Sequence, residues 1–162
     1  MRIEDLQKTQ EEQAMETKQE VLQAAIEKVR SMLNQQFPDV VDFEDGSFTL
    51  SKGSASVMII VRPFTEDDAV VECTSHVVTD AQITPEVMEW LLRKNAELHF
   101  GAFGLLFDHT IIYSYSLPVK NLDPEELGVM VSAVATIADY YDDELAKMTG
   151  GKRALDLIGL EG

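Results

Sequence analysis

Residues 91–145 read LLRKNAELHFGAFGLLFDHTIIYSYSLPVKNLDPEELGVMVSAVATIADYYDDEL. The stretch holds the end of a helix, two strands joined by a tight turn, and a capped closing helix. Period-two alternation places Phe103, Leu105 and Phe107 on one face of the first strand. Asp108-His109 makes the turn, and Ile111, Tyr113, Tyr115 and Leu117 answer on the second strand. Asp123-Pro124-Glu125-Glu126 is a capping box, with Asp123 as cap, proline at the first helical position and Glu126 three residues on. The helix it opens carries Leu127, Met130, Val131, Val134, Ile137, Ala138, Tyr141 and Leu145 on one stripe, and Gly150-Gly151 ends it.

Upstream, Thr84-Pro85-Glu86 signals another helix start, and that helix is expected to bury Val87, Met88, Leu91, Leu92 and Leu98. Residues 40–78 are rich in strands. Asp45-Gly46 separates Val40–Phe43 from Ser47–Leu50, Lys52-Gly53 marks a second turn, and Thr65–Asp68 a third. Between the last two turns, Ala55, Val57, Ile59 and Val61 share one strand face while Met58 and Ile60 occupy the other, which predicts a central strand partly covered on both faces. The next strand, Ala69 to Val78, places Ala69, Val71, Cys73 and Val77 together. Val21, Leu22, Ala25, Ile26, Val29, Met32, Leu33 and Phe37 make an amphipathic helix that stops before Pro38.

The resulting order, α-β-β-β-β-α-β-β-α, predicts an α+β domain with a curved antiparallel sheet and helices packed on one side. Residues 1–20 form a polar arm, frayed helix or disorder until it meets something; residues 21–149 form a single domain; residues 150–162 form a tail. With two positive charges and four large aliphatics after a glycine hinge, that tail either straps back over its own domain or docks on a neighbouring chain.

Composition limits the function. At 162 residues and 45% hydrophobic, one continuous core is expected. Cys73 is the only cysteine, so no intrachain disulfide can form, in keeping with a reduced, cytoplasmic setting. No apolar run reaches the roughly 18–20 residues that span a bilayer. The 29 acidic against 13 basic residues give a net charge of −16, mostly outside the first 36 residues. A field of that sign repels phosphate backbones and anionic lipid, so neither nucleic acid nor membrane is an expected partner.

No catalytic, cofactor or metal constellation emerges. His76, His99 and His109 stand at no metal-ligand spacing. Cys73 and His76 fall on opposite faces of one strand, which argues against a nucleophile pair. Gly101-Ala102-Phe103-Gly104 lacks the lysine and helix start of a phosphate loop. Asn95 falls on the apolar stripe of its helix and is expected as a buried, hydrogen-bonded amide tying the helix to the following strand. Candidate partner-binding residues are the aromatics Tyr113, Tyr115 and Tyr140, the acidic Asp139, Asp142 and Asp143, and the tail aliphatics Leu155, Leu157 and Ile158. Each has a plainer reading as core packing, solvated charge or a terminal strap.

The segments Trp90–Asn95, Phe103–Phe107, Ile111–Leu117, Leu122–Leu127 and Ala138–Leu145 together resemble the YbjN family, labelled a bacterial sensory transduction regulator. That family shares its fold with type III secretion chaperones of the CesT and Tir class. By element order the resemblance covers about residues 20–148, and its specific part is 90–145. It implies a domain that commonly dimerises and acts by holding another protein. The expectation is therefore a non-enzymatic, chaperone-like or regulatory protein-binding module, a homodimer with a protein client and no cofactor. A small-molecule sensor or enzyme with a pocket between helices and sheet is the alternative. The long polar arm and apolar tail depart from the family, so client-binding residues do not carry over.

Overall fold

The computed structural model describes residues 2–158, with the side chains of residues 13–15 and 158 outside the description. Six strands form one antiparallel sheet: β1 (Val41–Asp42), β2 (Ser47–Lys52), β3 (Ala55–Thr65), β4 (Asp68–Val78), β5 (Ala102–Leu105) and β6 (Ile111–Pro118). Their spatial order is β1-β2-β3-β4-β6-β5, so β3 and β4 are central. The connection leaving β4 crosses to the far edge as a helix, and the chain returns through β6 to pair with β4.

Local chemistry sets the turns. Gly46 (φ +90°) and Gly53 (φ +58°) take the left-handed conformations that close the β1–β2 and β2–β3 connections. Asp45 Oδ1 accepts from the Ser47 backbone N–H at 3.0 Å, an Asx turn. The arm contains two short helices, α1 (Ile3–Gln7) and α2 (Gln10–Glu16), and α2 packs on β3. Helix α3 (Gln19–Gln36) ends where Pro38 disfavours a helical residue 37, and Phe37 N–H donates to Leu33 O at 2.8 Å.

Thr84 caps α4 (Pro85–Glu97) by accepting from Val87 N–H. In α5 (Pro124–Thr149), Asp123 Oδ1 accepts from Glu126 N–H at 2.8 Å while Glu126 Oε2 accepts from Asp123 N–H at 3.1 Å, and Gly150 in the left-handed region ends the helix. Asp123→Ala removes half of this box and is expected to cost about 1 kcal/mol. Thermal melting should then drop by roughly 2–4 °C, the scale for a chain of this length.

The core lies between the sheet and helices α3, α4 and α5. Val29 and Leu33 of α3, Leu127, Met130, Val131 and Val134 of α5, and Val57, Ile59, Val71, Cys73, Ile111 and Tyr113 of the sheet are all fully buried. Each such aliphatic contributes roughly 1.5–3 kcal/mol by leaving water. Three expectations fail here. Met88 and Leu92 lie at the surface, 46% and 71% exposed, because the apolar stripe of α4 is wider than the core it covers. Phe107 is 99% exposed, because β5 stops at Leu105 and residue 107 belongs to the turn.

Candidate functional site

Alternation divides the sheet into two unlike faces. The residues that face the helices are buried and mostly apolar. The alternate residues, among them Met58, Ile60 and Arg62 of β3, Glu72, Thr74 and His76 of β4, and Ile112, Ser114 and Ser116 of β6, look the other way. There they line a cavity of about 650 Å³. Its floor is mixed: Met58, Ile60 and Ile112 supply apolar area, and the serines and Thr74 supply hydroxyls. Arg62 Nε sits 3.6 Å from Glu72 Oε2 and is buried, with no hydrogen-bond partner among the described residues. A buried unused donor is costly unless something supplies an acceptor.

One wall of this cavity comes from the tail. Helix α6 (Ala154–Ile158) contacts β3 and β4, with Ala154 and Leu157 lining the cavity. A second cavity of about 950 Å³ lies between the arm and the far end of the β3–β4 hairpin. Its charged groups largely satisfy one another: Lys8 with Glu16 at 2.7 Å and Asp5 at 3.1 Å, and Lys120 with Asp67 at 2.9 Å. Neither of these two cavities is lined by the core helices α3, α4 or α5.

The candidate residues named from the sequence do not assemble into one surface. Tyr113 is buried in the core, its hydroxyl donates to Phe100 O, and burial pushes its pKa up to about 12. It packs edge-on against Phe103 at 4.9 Å, so it has no surface to offer a partner. Tyr115 is half-buried against Phe100. Tyr140 is 74% exposed on α5 and lies edge-on to Tyr141, which joins Trp90 and Phe103 in an aromatic cluster spanned by Lys94. Leu155 is exposed, Leu157 faces the cavity, and the side chain of Ile158 is outside the described residues. Asn95 is half-buried: its Nδ2 donates to Phe103 O at 3.1 Å and its Oδ1 accepts from Phe103 N–H at 2.7 Å.

The acidic run divides three ways. Asp143 pairs with Arg153 of the tail. Asp139 Oδ1 accepts from the backbone N–H and the hydroxyl of Ser54, both at 2.6 Å, which holds its carboxyl below the usual range. Asp142 is buried and also bonds Ser54 Oγ. A hydroxyl has one proton to give, so the second bond needs a proton on Asp142. Burial raises the Asp142 carboxyl above its ordinary 3.8, in the same direction.

That shift has a pH consequence. The native chain holds the Asp142 proton more tightly than the unfolded chain. The associated stability is complete below 3.8 and is lost as pH rises through the raised native value. Asp142→Asn keeps a donor for Ser54 without the ionisation. It is expected to melt above the wild type at pH 8 by about 2–4 °C, the equivalent of roughly 1 kcal/mol, with the gap closing toward pH 4. A gap independent of pH would contradict the shared-proton reading.

The open-face residues escaped the sequence reading, although a signal existed. Met58 and Ile60 are legible as a second, partly apolar and partly covered face of β3, but nothing local marks that face as the floor of a cavity. Among the described residues no group of three or more His, Cys, Asp and Glu could hold a metal ion, and no helix is long and apolar enough to cross a membrane. Cys73 is buried and its thiol is pushed far up by burial, an inert packing residue.

A helix-backed antiparallel sheet with one open, partly apolar face defines an α+β domain with a surface left free on one side of its sheet. The chain belongs to the TY-Chap1 family, the type III secretion (YopN, CesT) and YbjN peptide-binding chaperones, whose model matches residues 19–157. Among solved structures, a chain in the crystal structure of the ExsC–ExsE complex shares the fold, with a TM-score of 0.56 and 13% identity over 76% of this chain and 95% of that one. No curated protein matches the chain.

Proposed function

We propose that this protein is a non-enzymatic, cytoplasmic peptide-binding chaperone that holds a segment of a client protein against the open face of its sheet. The observation that carries the reading is the cavity of about 650 Å³ there, with Met58, Ile60 and Ile112 in its floor and the unsatisfied Arg62 Nε beside them. A client side chain can fill the apolar part, and a client carbonyl or carboxylate can accept from Arg62. Family membership supports the same use. The net charge of −16 suits a basic or amphipathic client, whose association should slow with salt while the apolar contact persists.

We infer further that the working unit is a homodimer closed by α4. Met88 and Leu92 lie one turn apart on its outer side, and the β5 region it packs against exposes Leu105 and Phe107. Exposed apolar residues so grouped mark an interface more often than a bare surface.

The test uses the purified full chain as bait in native lysate, beside Met58→Glu. Met58 is 48% exposed, so this change charges the open face without disturbing the core. Specific clients should come down with the wild type and be lost with the variant. Clients retained by both proteins would remove the open face from the account, and a wild type that retains none would remove the chaperone reading.

A further inference from the structure

The tail takes an enforced route to the open face. Gly150 turns the chain out of α5 at φ +67°, and a Cβ on Gly151 would stand 2.5 Å from Thr79 O and closer still to Val78, so only glycine fits this crossing. Lys152 then pairs with Thr79 at the end of β4: Thr79 N–H donates to Lys152 O at 2.8 Å and Lys152 N–H donates to Thr79 O at 2.9 Å. Arg153 anchors the turn by its ion pair with Asp143 and by donating to both oxygens of Asp156 at 3.1 and 2.8 Å. The chain thus passes from the helical side of the sheet to the opposite side. Ala154 and Leu157, three residues apart on α6, then face the cavity.

This attachment is specific at its root and loose at its tip. A helix of five residues does not persist alone in water, so α6 is held by what it packs on. Leu157 is still 39% exposed and Leu155 48%, and among the described residues the tail leaves Arg62 Nε unsatisfied. It occupies part of the cavity and leaves its polar demand unmet.

Resting on the reading of the open face as the client site, we propose that residues 152–158 are a built-in occupant of that site, displaced when a client binds. The tail also defines what the face accepts: a short amphipathic segment with a small residue and a large aliphatic three apart. A carboxylate or free carbonyl in that segment would reach Arg62, which no described residue of the tail does. That extra bond favours a client over the tethered tail, whose advantage is its effective concentration, on the order of millimolar for a short linker. The tail therefore raises the threshold for binding, and weak or wrong segments fail to lift it.

The probe is a fluorescent synthetic peptide of residues 152–162, titrated by anisotropy against the full chain and against Leu157→Ser and Arg153→Ala. Each substitution loosens the tail, one at its apolar contact and one at its anchor, and neither reaches the core. Both variants are expected to bind the peptide at least about tenfold more tightly than wild type, because their own tails no longer compete. Adding Met58→Glu to either should abolish that gain. Equal affinity for wild type and both variants, absence of binding to all three, or binding that survives Met58→Glu would each overturn the proposal. Client pull-down with the same proteins separates the two readings. Clients captured through Met58 while the peptide shows no difference would overturn the tail's role and leave the chaperone function standing.

Discussion

Leu92→Glu is expected to halve the mass of the particle in solution, from about twice the 18.1 kDa chain to the single chain, by light scattering at micromolar concentration. Leu92 is 71% exposed on the outer side of α4 with Met88 one turn before it, while Val87 and Leu91 on the inner side hold the helix to the core. In a two-fold pairing each substituted residue faces the partner's copy of the same helix. Every interface then gains two buried, unpaired carboxylates, a penalty of several kcal/mol. The fold should be unaffected, since the wild-type side chain is already mostly in water. A wild type that is monomeric across that concentration range would end the dimer proposal, and a variant that stays dimeric would place the interface elsewhere.

Asn95→Leu is expected to lower stability by roughly 1–3 kcal/mol. Strand β5 lies at the edge of the sheet, where backbone groups pointing outward have no neighbouring strand. The Asn95 amide takes that place at Phe103, giving one hydrogen bond and receiving another. Leucine fills a similar volume and offers neither, so both backbone groups lose their partner at a residue whose ring packs against Trp90 and Tyr113. Calorimetry should show a melting temperature lower by roughly 2–12 °C at this chain length. A variant that melts at or above the wild type would refute the edge-capping role.

What the sequence made legible was whatever depends on near neighbours. The capping box at Asp123 and Glu126, the glycine at 46 and the alternation along residues 55–61 are local patterns with local causes, and each corresponds to a feature of the fold. What it hid depends on which face something else covers. Periodicity groups Met88 and Leu92 with Val87 and Leu91, but the width of the core decides which pair is buried. Tyr113 and Tyr115 share a face by period, and only packing shows that this face is the interior. Asp142 was legible in principle: it lies four residues after Ala138 and three before Leu145, on the buried stripe of α5, where a carboxylate requires a partner such as Ser54. The tail aliphatics signal that the tail docks, but which surface α6 meets had no readable signal, because a five-residue helix exists only through its tertiary contacts.

The open face as the place where a client segment is held can be tested by photo-crosslinking in cells. A photoreactive phenylalanine analogue is introduced at Ser116, which is exposed and lines the cavity, and in a separate protein at Tyr140, which is exposed on α5. The account predicts covalent adducts from position 116, mapping by mass spectrometry to one defined aliphatic-containing segment of a client, and no such adduct from position 140. Client adducts that form from position 140 and not from position 116 would contradict it.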